Sequence, residues 1–121
     1  MNSTSFGVYT SGYQGNFNPN YPLVIPSGQV NSGVVTTGGF TLCGLQTPPT
    51  FEGAALTFLV SLDGVTYTTL NTAGSPYSVT VAVSEYVALN YVLFLGAAFI
   101  KVVSGTTVAA NRTLICSLKG F

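Results

Sequence analysis

Eight side chains in this sequence are of types that do chemistry: Cys43, Glu52, Asp63, Glu85, Lys101, Arg112, Cys116 and Lys119. There is no His and no Trp. General acid–base catalysis favours a histidine, or a carboxylate tuned by a close partner. Here the three acids are scattered along the chain, so an enzyme is not expected. Zinc needs several Cys, His or carboxylate ligands converging on one point. Two Cys and three acids at spacings of nine or more residues make no local cluster, and neither a metal nor another cofactor is expected. Glu52 and Asp63 are oxygen ligands of the kind calcium takes, but calcium requires six or more oxygens. Asp63 stands before Gly64 and reads as a turn residue. A nucleophilic thiol at Cys43 or Cys116 would need a base and a thiolate-stabilising environment, and without a histidine little is left to build one.

The charge count excludes more. The six charged residues are 5% of the chain and sum to zero, against about 25% in an average soluble domain. Three basic side chains cannot form the positive face that neutralises a nucleic-acid backbone. Low net charge promotes association. The chain is 47% hydrophobic, which argues against intrinsic disorder. The most apolar run, VALNYVLFLGAAFI from Val87 to Ile100, has fourteen residues, whereas a membrane helix needs about twenty. It reads as strand, turn and strand, and no membrane association is expected.

The elements that must position these side chains are strands. Leu56, Phe58, Val60 and Leu62 alternate with Thr57, Leu59 and Ser61, the period-two pattern of a half-buried strand. Asp63-Gly64 follows, a dipeptide suited to a tight hairpin, and Val65–Leu70 alternates again. Tyr77, Val79, Val81 and Val83 form a further alternating run. Ala98, Ile100 and Val102 form another, closed by Ser104-Gly105, and the last runs from Arg112 to Lys119 with Leu114, Cys116 and Leu118 on one face. An earlier strand, Gly39 to Gln46, places Phe40 and Leu42 on one face and Cys43 and Leu45 on the other. Asn90 to Leu95 has room for one short helical turn. Many short strands between frequent turns predict an all-β fold, a single antiparallel β-sandwich, jelly-roll-like or related, over residues 31–121.

Residues 1–30 differ. Gly7, Gly12, Gly15, Pro19, Pro22 and Pro26 interrupt them too often for a helix or a long central strand. Met1 to Phe51 carries no Asp, Glu, Lys, Arg or His. Phe6, Tyr9, Tyr13, Phe17 and Tyr21 recur at steps of three, four, four and four. The segment reads as an extended N-terminal arm with these five aromatics as interface anchors, because large aromatics on a free tail invite aggregation. The alternative is a tail without fixed structure.

Cys43 and Cys116 lie on the first and last strands of the β body. They are either buried free thiols or one disulfide closing a long loop. The chain does not open with a basic stretch and an apolar core of the kind that directs export, which favours free thiols. For the same reason the acceptor patterns at Asn2-Ser3-Thr4 and Asn111-Arg112-Thr113 are not expected to carry glycans. Glu85 has Lys101 or Arg112 as a possible surface ion partner.

Three stretches carry a family resemblance. They are Gly53-Ala54-Ala55-Leu56-Thr57-Phe58-Leu59-Val60-Ser61-Leu62-Asp63-Gly64, Ile100-Lys101-Val102-Val103-Ser104-Gly105-Thr106 and Ala110-Asn111-Arg112-Thr113-Leu114. Together they resemble small virion proteins of tailed bacteriophages, β-sandwich proteins of the cement or decoration kind. The resemblance covers residues 51–121 and leaves out the aromatic arm. It implies a non-enzymatic structural protein on the capsid exterior, assembled in the host cytoplasm. It would self-associate as a homotrimer and bridge subunits of the major capsid protein. Alternatives are a tail, baseplate or head-fibre component of the virion, or a carbohydrate-binding module that presents exposed tyrosines on a sheet face.

Overall fold

The structure, a computed structural model, describes residues 17–120. Its strands are β1 (Phe17–Ile25), β2 (Val35–Thr36), β3 (Phe40–Gln46), β4 (Ala55–Ser61), β5 (Thr68–Thr69), β6 (Asn71–Thr72), β7 (Ser75–Pro76), β8 (Val79–Thr80), β9 (Tyr86–Ala88), β10 (Phe99–Ser104) and β11 (Arg112–Gly120). Between β9 and β10 lies one 3₁₀ turn, Tyr91–Phe94, where the short helical turn was expected. All pairings are antiparallel. The two main sheets have the orders β1-β11-β3-β9 and β2-β10-β4-β5, with β8 also on β4, and β6 and β7 pair with each other in a separate small hairpin. The fold is an all-β antiparallel sandwich. No helix of the described residues is long and apolar enough to cross a membrane.

The core lies between the sheets. Leu23, Ile25, Leu42, Leu45, Leu114, Cys116 and Leu118 enter it from the first sheet, and Val35, Leu56, Phe58, Ile100 and Val102 from the second. Each such side chain contributes roughly 1.5–3 kcal/mol of burial. Phe94 reaches in from the 3₁₀ turn and meets the Phe58 ring edge-on at 5.1 Å; Tyr77 stacks on Phe58 at 5.7 Å and meets Phe94 edge-on at 6.1 Å, so the three rings form one cluster. The Tyr77 hydroxyl accepts the Asn90 N–H at 3.0 Å and so ties the turn to this aromatic group.

Three expectations need correction. The first concerns the arm. Residues 17–25 are a strand of the first sheet, paired along β11 from Phe17 opposite Lys119 to Ile25 opposite Arg112. Pro19 and Pro22 are compatible with this because β1 is an edge strand, where one side of the backbone needs no donors. The ladder shifts register between Asn18 and Tyr21. The second concerns β3. Leu42 and Leu45 are both buried, not on opposite faces. Opposite Ser117 and Leu118, β3 holds Gly44 and Leu42, so Cys43 is an extra residue that bulges the strand and resets the alternation. The third concerns the hairpin after β4. Leu59 pairs with Thr69 and Val60 with Thr68, so the connection is a wide loop and not a tight turn at Asp63-Gly64.

Candidate functional site

The two ends of the sandwich carry the chemistry-bearing residues in different ways. One end holds the start of β11, the end of β1 and the end of β10. There Glu52 and Arg112 meet across sixty residues of sequence in a two-pronged ion pair. Arg112 Nε donates to Glu52 Oε1 at 2.8 Å and Arg112 Nη2 to Oε2 at 3.0 Å. Oε2 also accepts the Ala109 N–H at 2.8 Å, and Arg112 Nη1 donates to Thr50 Oγ1 at 3.0 Å. These bonds from Arg112, and then from the Ala109 amide, hold the Glu52 carboxyl down at about 2. Arg112 therefore pairs with Glu52, not with Glu85. Glu85 instead accepts the Ala82 N–H at 2.8 Å within its own turn, and Lys101 Nζ stands 4.4 Å above the Tyr67 ring.

The other end is built around Ser61, which is 3% exposed. Ser61 Oγ donates to Asp63 Oδ1 at 3.0 Å and accepts the Asp63 and Gly64 N–H groups at 3.3 and 2.8 Å. Asp63 Oδ1 then accepts the Val65 and Thr66 N–H groups at 2.8 and 2.9 Å. The Thr66 amide, followed by those of Val65 and the Ser61 hydroxyl, lowers the Asp63 carboxyl below its ordinary range. Gly64 takes φ +80°, a left-handed conformation that disfavours other residues, and sits over the Phe99 ring. The loop is thus closed on itself by side-chain-to-backbone bonds. What it leaves outside is apolar: Leu62 is 81% exposed and Val65 82%. Beside it opens a cleft of about 580 Å³, walled by residues 60–63 and Thr66 on one side and by Leu93, Gly96 and Ala97 on the other. Val92 and Leu95 on the same 3₁₀ segment are also more than half exposed.

Of the five aromatic anchor candidates, Phe6, Tyr9 and Tyr13 lie outside the described residues. The backbone of Phe17 opens β1 opposite Lys119. Tyr21 is half-buried and packs against the core, so it belongs to the body. Sequence reasoning read Leu62 and Val65 as members of alternating strands and so missed them as surface. The signal available was the Ser-x-Asp-Gly spacing, which suits a loop closed by side-chain-to-backbone bonds as well as it suits a hairpin.

Cys43 and Cys116 are free thiols. Burial pushes the Cys116 thiol up to about 12, and the partly buried Cys43 thiol is also raised. Neither has the depressed pKa of a nucleophile. Among the described residues, no three His, Cys, Asp or Glu side chains group to hold a metal ion.

No family model matches the chain, and no curated protein matches it. Among solved structures it is similar to CBM32-1 from a family 31 glycoside hydrolase of Clostridium perfringens. That likeness has a TM-score of 0.49 and 16% identity, over 78% of this chain and 75% of that one.

Proposed function

We propose that this chain is a non-enzymatic structural protein of a bacteriophage virion, a capsid cement or decoration protein. In this reading it self-associates as a trimer on the capsid exterior and bridges major capsid protein subunits. The observation that carries the contact role is the Ser61–Thr66 loop, which holds Leu62 and Val65 out in water on a preorganised backbone. Fixed apolar side chains beside a cleft, on a body with six charges, suit burial against another protein. The virion setting rests on the sequence resemblance of residues 51–121. A protein that binds only the assembled shell stabilises it by mass action. Imaging of the particle assembled by the phage that encodes the chain is expected to show it on the shell exterior, at three-fold or quasi-three-fold positions. Density at the tail or baseplate, or none on the particle, overturns the reading.

A second reading, carbohydrate binding, is favoured by one observation. The Tyr86 ring lies over Gly44, where a Cβ would collide with it, yet Tyr86 remains 58% exposed. An exposed ring fixed against a sheet offers a stacking platform. Glycan-array binding that disappears in Tyr86→Ala would carry this reading; an empty array removes it.

A further inference from the structure

We propose that the outer face of the first sheet is a binding site for a neutral glycan, with the Tyr86 ring as its stacking surface and Gln46 and Ser117 as its hydrogen-bonding groups. This assignment rests on the carbohydrate reading, to which it adds the ligand class and the residues that select it. It is independent of the virion setting and uses neither Leu62, nor Val65, nor the cleft.

The register lines these groups up. Gln46 of β3 is opposite Tyr86 of β9 on one side and Ile115 of β11 on the other, and Ile115 is opposite Pro22 of β1. Directly opposed residues share a face of the sheet, their Cβ atoms about 5 Å apart. The residues next to them in sequence, Leu23, Leu45, Leu114 and Cys116, are buried in the core, so this row faces outward. In the next row of the same face Gly44 is opposite Ser117. The Tyr86 ring fills the space over Gly44 where a side chain would stand. It therefore lies beside Ser117 as well as beside its own partner Gln46.

What these groups offer selects the ligand. The hydroxyls of Thr37, Thr47, Ser61 and Ser104 donate within the fold. Among the described residues no hydrogen bond engages the Gln46 amide or the Ser117 hydroxyl, so both are left as donors and acceptors. Charge is kept away from them. Glu85, next to Tyr86 in sequence, is turned to the Ala82 amide, and Arg112 is paired with Glu52. Lys119 stands four residues past Ile115 along β11, roughly 14 Å from the Gln46 row. A phosphate, sulfate or carboxylate would therefore find no cation beside the ring. An apolar protein surface laid here would strand the Gln46 and Ser117 groups without partners, which is costly. The hydroxyls of a neutral sugar satisfy both groups while its C–H face packs on the ring.

The test is an array of neutral glucans, galactans and mannans beside sialylated and sulfated glycans, probed with the full-length protein. Titration calorimetry with the best-bound oligosaccharide follows. Binding to neutral glycans is expected. Gln46→Ala and Ser117→Ala should each weaken it about threefold to tenfold, the effect of one lost hydrogen bond, with thermal unfolding unchanged. Tyr86→Ala should abolish it, and Leu62→Ser/Val65→Ser should bind as wild type does. An array without any binding removes the carbohydrate reading and this site with it. Binding lost in Tyr86→Ala but undiminished in both Gln46→Ala and Ser117→Ala keeps that reading and overturns this site. Binding confined to acidic glycans, or binding that survives Tyr86→Ala, overturns it too.

Discussion

The two ends of the sandwich spend similar numbers of hydrogen bonds to opposite effect. At the Glu52–Arg112 end the bonds join residues far apart in sequence, from Thr50 through Ala109 to Arg112. Ser27 adds another tie, its N–H donating to Asn111 Oδ1 at 2.9 Å. That end is closed by its polar groups. At the Ser61 end every bond of the knot falls within residues 61–66. The loop is rigid by itself and holds nothing else, so its apolar side chains stay outside. Long-range polar bonds seal an end, whereas local ones shape a loop and leave its surface for a partner.

The largest lesion tests whether the apolar end is part of the folded unit. Phe94 is fully buried and props the 3₁₀ wall of the cleft on Phe58 and Tyr77. Phe94→Ala should cost about 3–5 kcal/mol in urea unfolding, the range for deleting a buried Phe. A loss under about 1 kcal/mol would mean that the turn is an appendage and that the cleft has no fixed wall.

Two matched lesions compare the ends directly. At Gly53 a Cβ would stand 2.5 Å from Phe51 and 2.6 Å from Ser104 Oγ. Gly53→Ala should therefore cost about 1–3 kcal/mol by overpacking. Ser61→Ala strips the acceptor of the Asp63 and Gly64 amides and should cost about 1–3 kcal/mol. The difference lies in where the damage shows. Hydrogen exchange after Ser61→Ala should quicken at residues 63–66 above all, because the knot is local, while Gly53→Ala should weaken the whole sandwich evenly. Uniform quickening in both variants would erase the distinction between the ends.

The same locality decides what was legible beforehand. β4, β10 and β11 were readable because Leu56/Phe58, Ile100/Val102 and Leu114/Cys116/Leu118 keep strict alternation. β1 was not readable as a strand of the sheet, since its prolines speak against a central strand and only the fold reveals that it lies at an edge. The Cys43 bulge was hidden for a different reason: one inserted residue swaps the faces of everything beyond it, and the cause lies in the partner strand. Glu52–Arg112 was invisible because no local pattern links residues sixty apart. Of the candidate surface, Asp63 and Gly64 were seen as a turn, but the width of the loop depends on β5 taking up the pairing only at Thr68 and not at Val65, where a tight hairpin would begin it.

Acid separates the ends more gently. Glu52 is held at about 2 in the fold against 4.5 for its ordinary value. A carboxyl lowered by folding contributes stability that is fully present above the unfolded value and is lost as pH falls through the folded one. Stability should therefore decline between about pH 4.5 and 2. In Arg112→Gln this part of the decline should shrink, because Glu52 loses its first cause of depression. The Asp63 share, fixed by the loop amides, should remain. An unchanged acid profile in Arg112→Gln would show that the ion pair does not couple to folding.

The smallest expected effect on stability is the most informative. Leu62 and Val65 are more than four-fifths exposed, and the bonds that shape their loop come from Ser61 and Asp63, not from them. Leu62→Ser/Val65→Ser should change the unfolding free energy by no more than about 0.5 kcal/mol, as for surface substitutions remote from packing. The variant should nevertheless fail to load onto shells that retain wild-type protein. The pair of measurements separates three cases. Stability and loading both intact would leave the apolar end without a partner and remove the observation on which the proposed function stands. A loss of stability above about 1 kcal/mol would place the two side chains in the fold's own packing. Loading lost with stability kept would assign them to the contact alone, because a side chain that folding leaves in water contributes only when something else covers it.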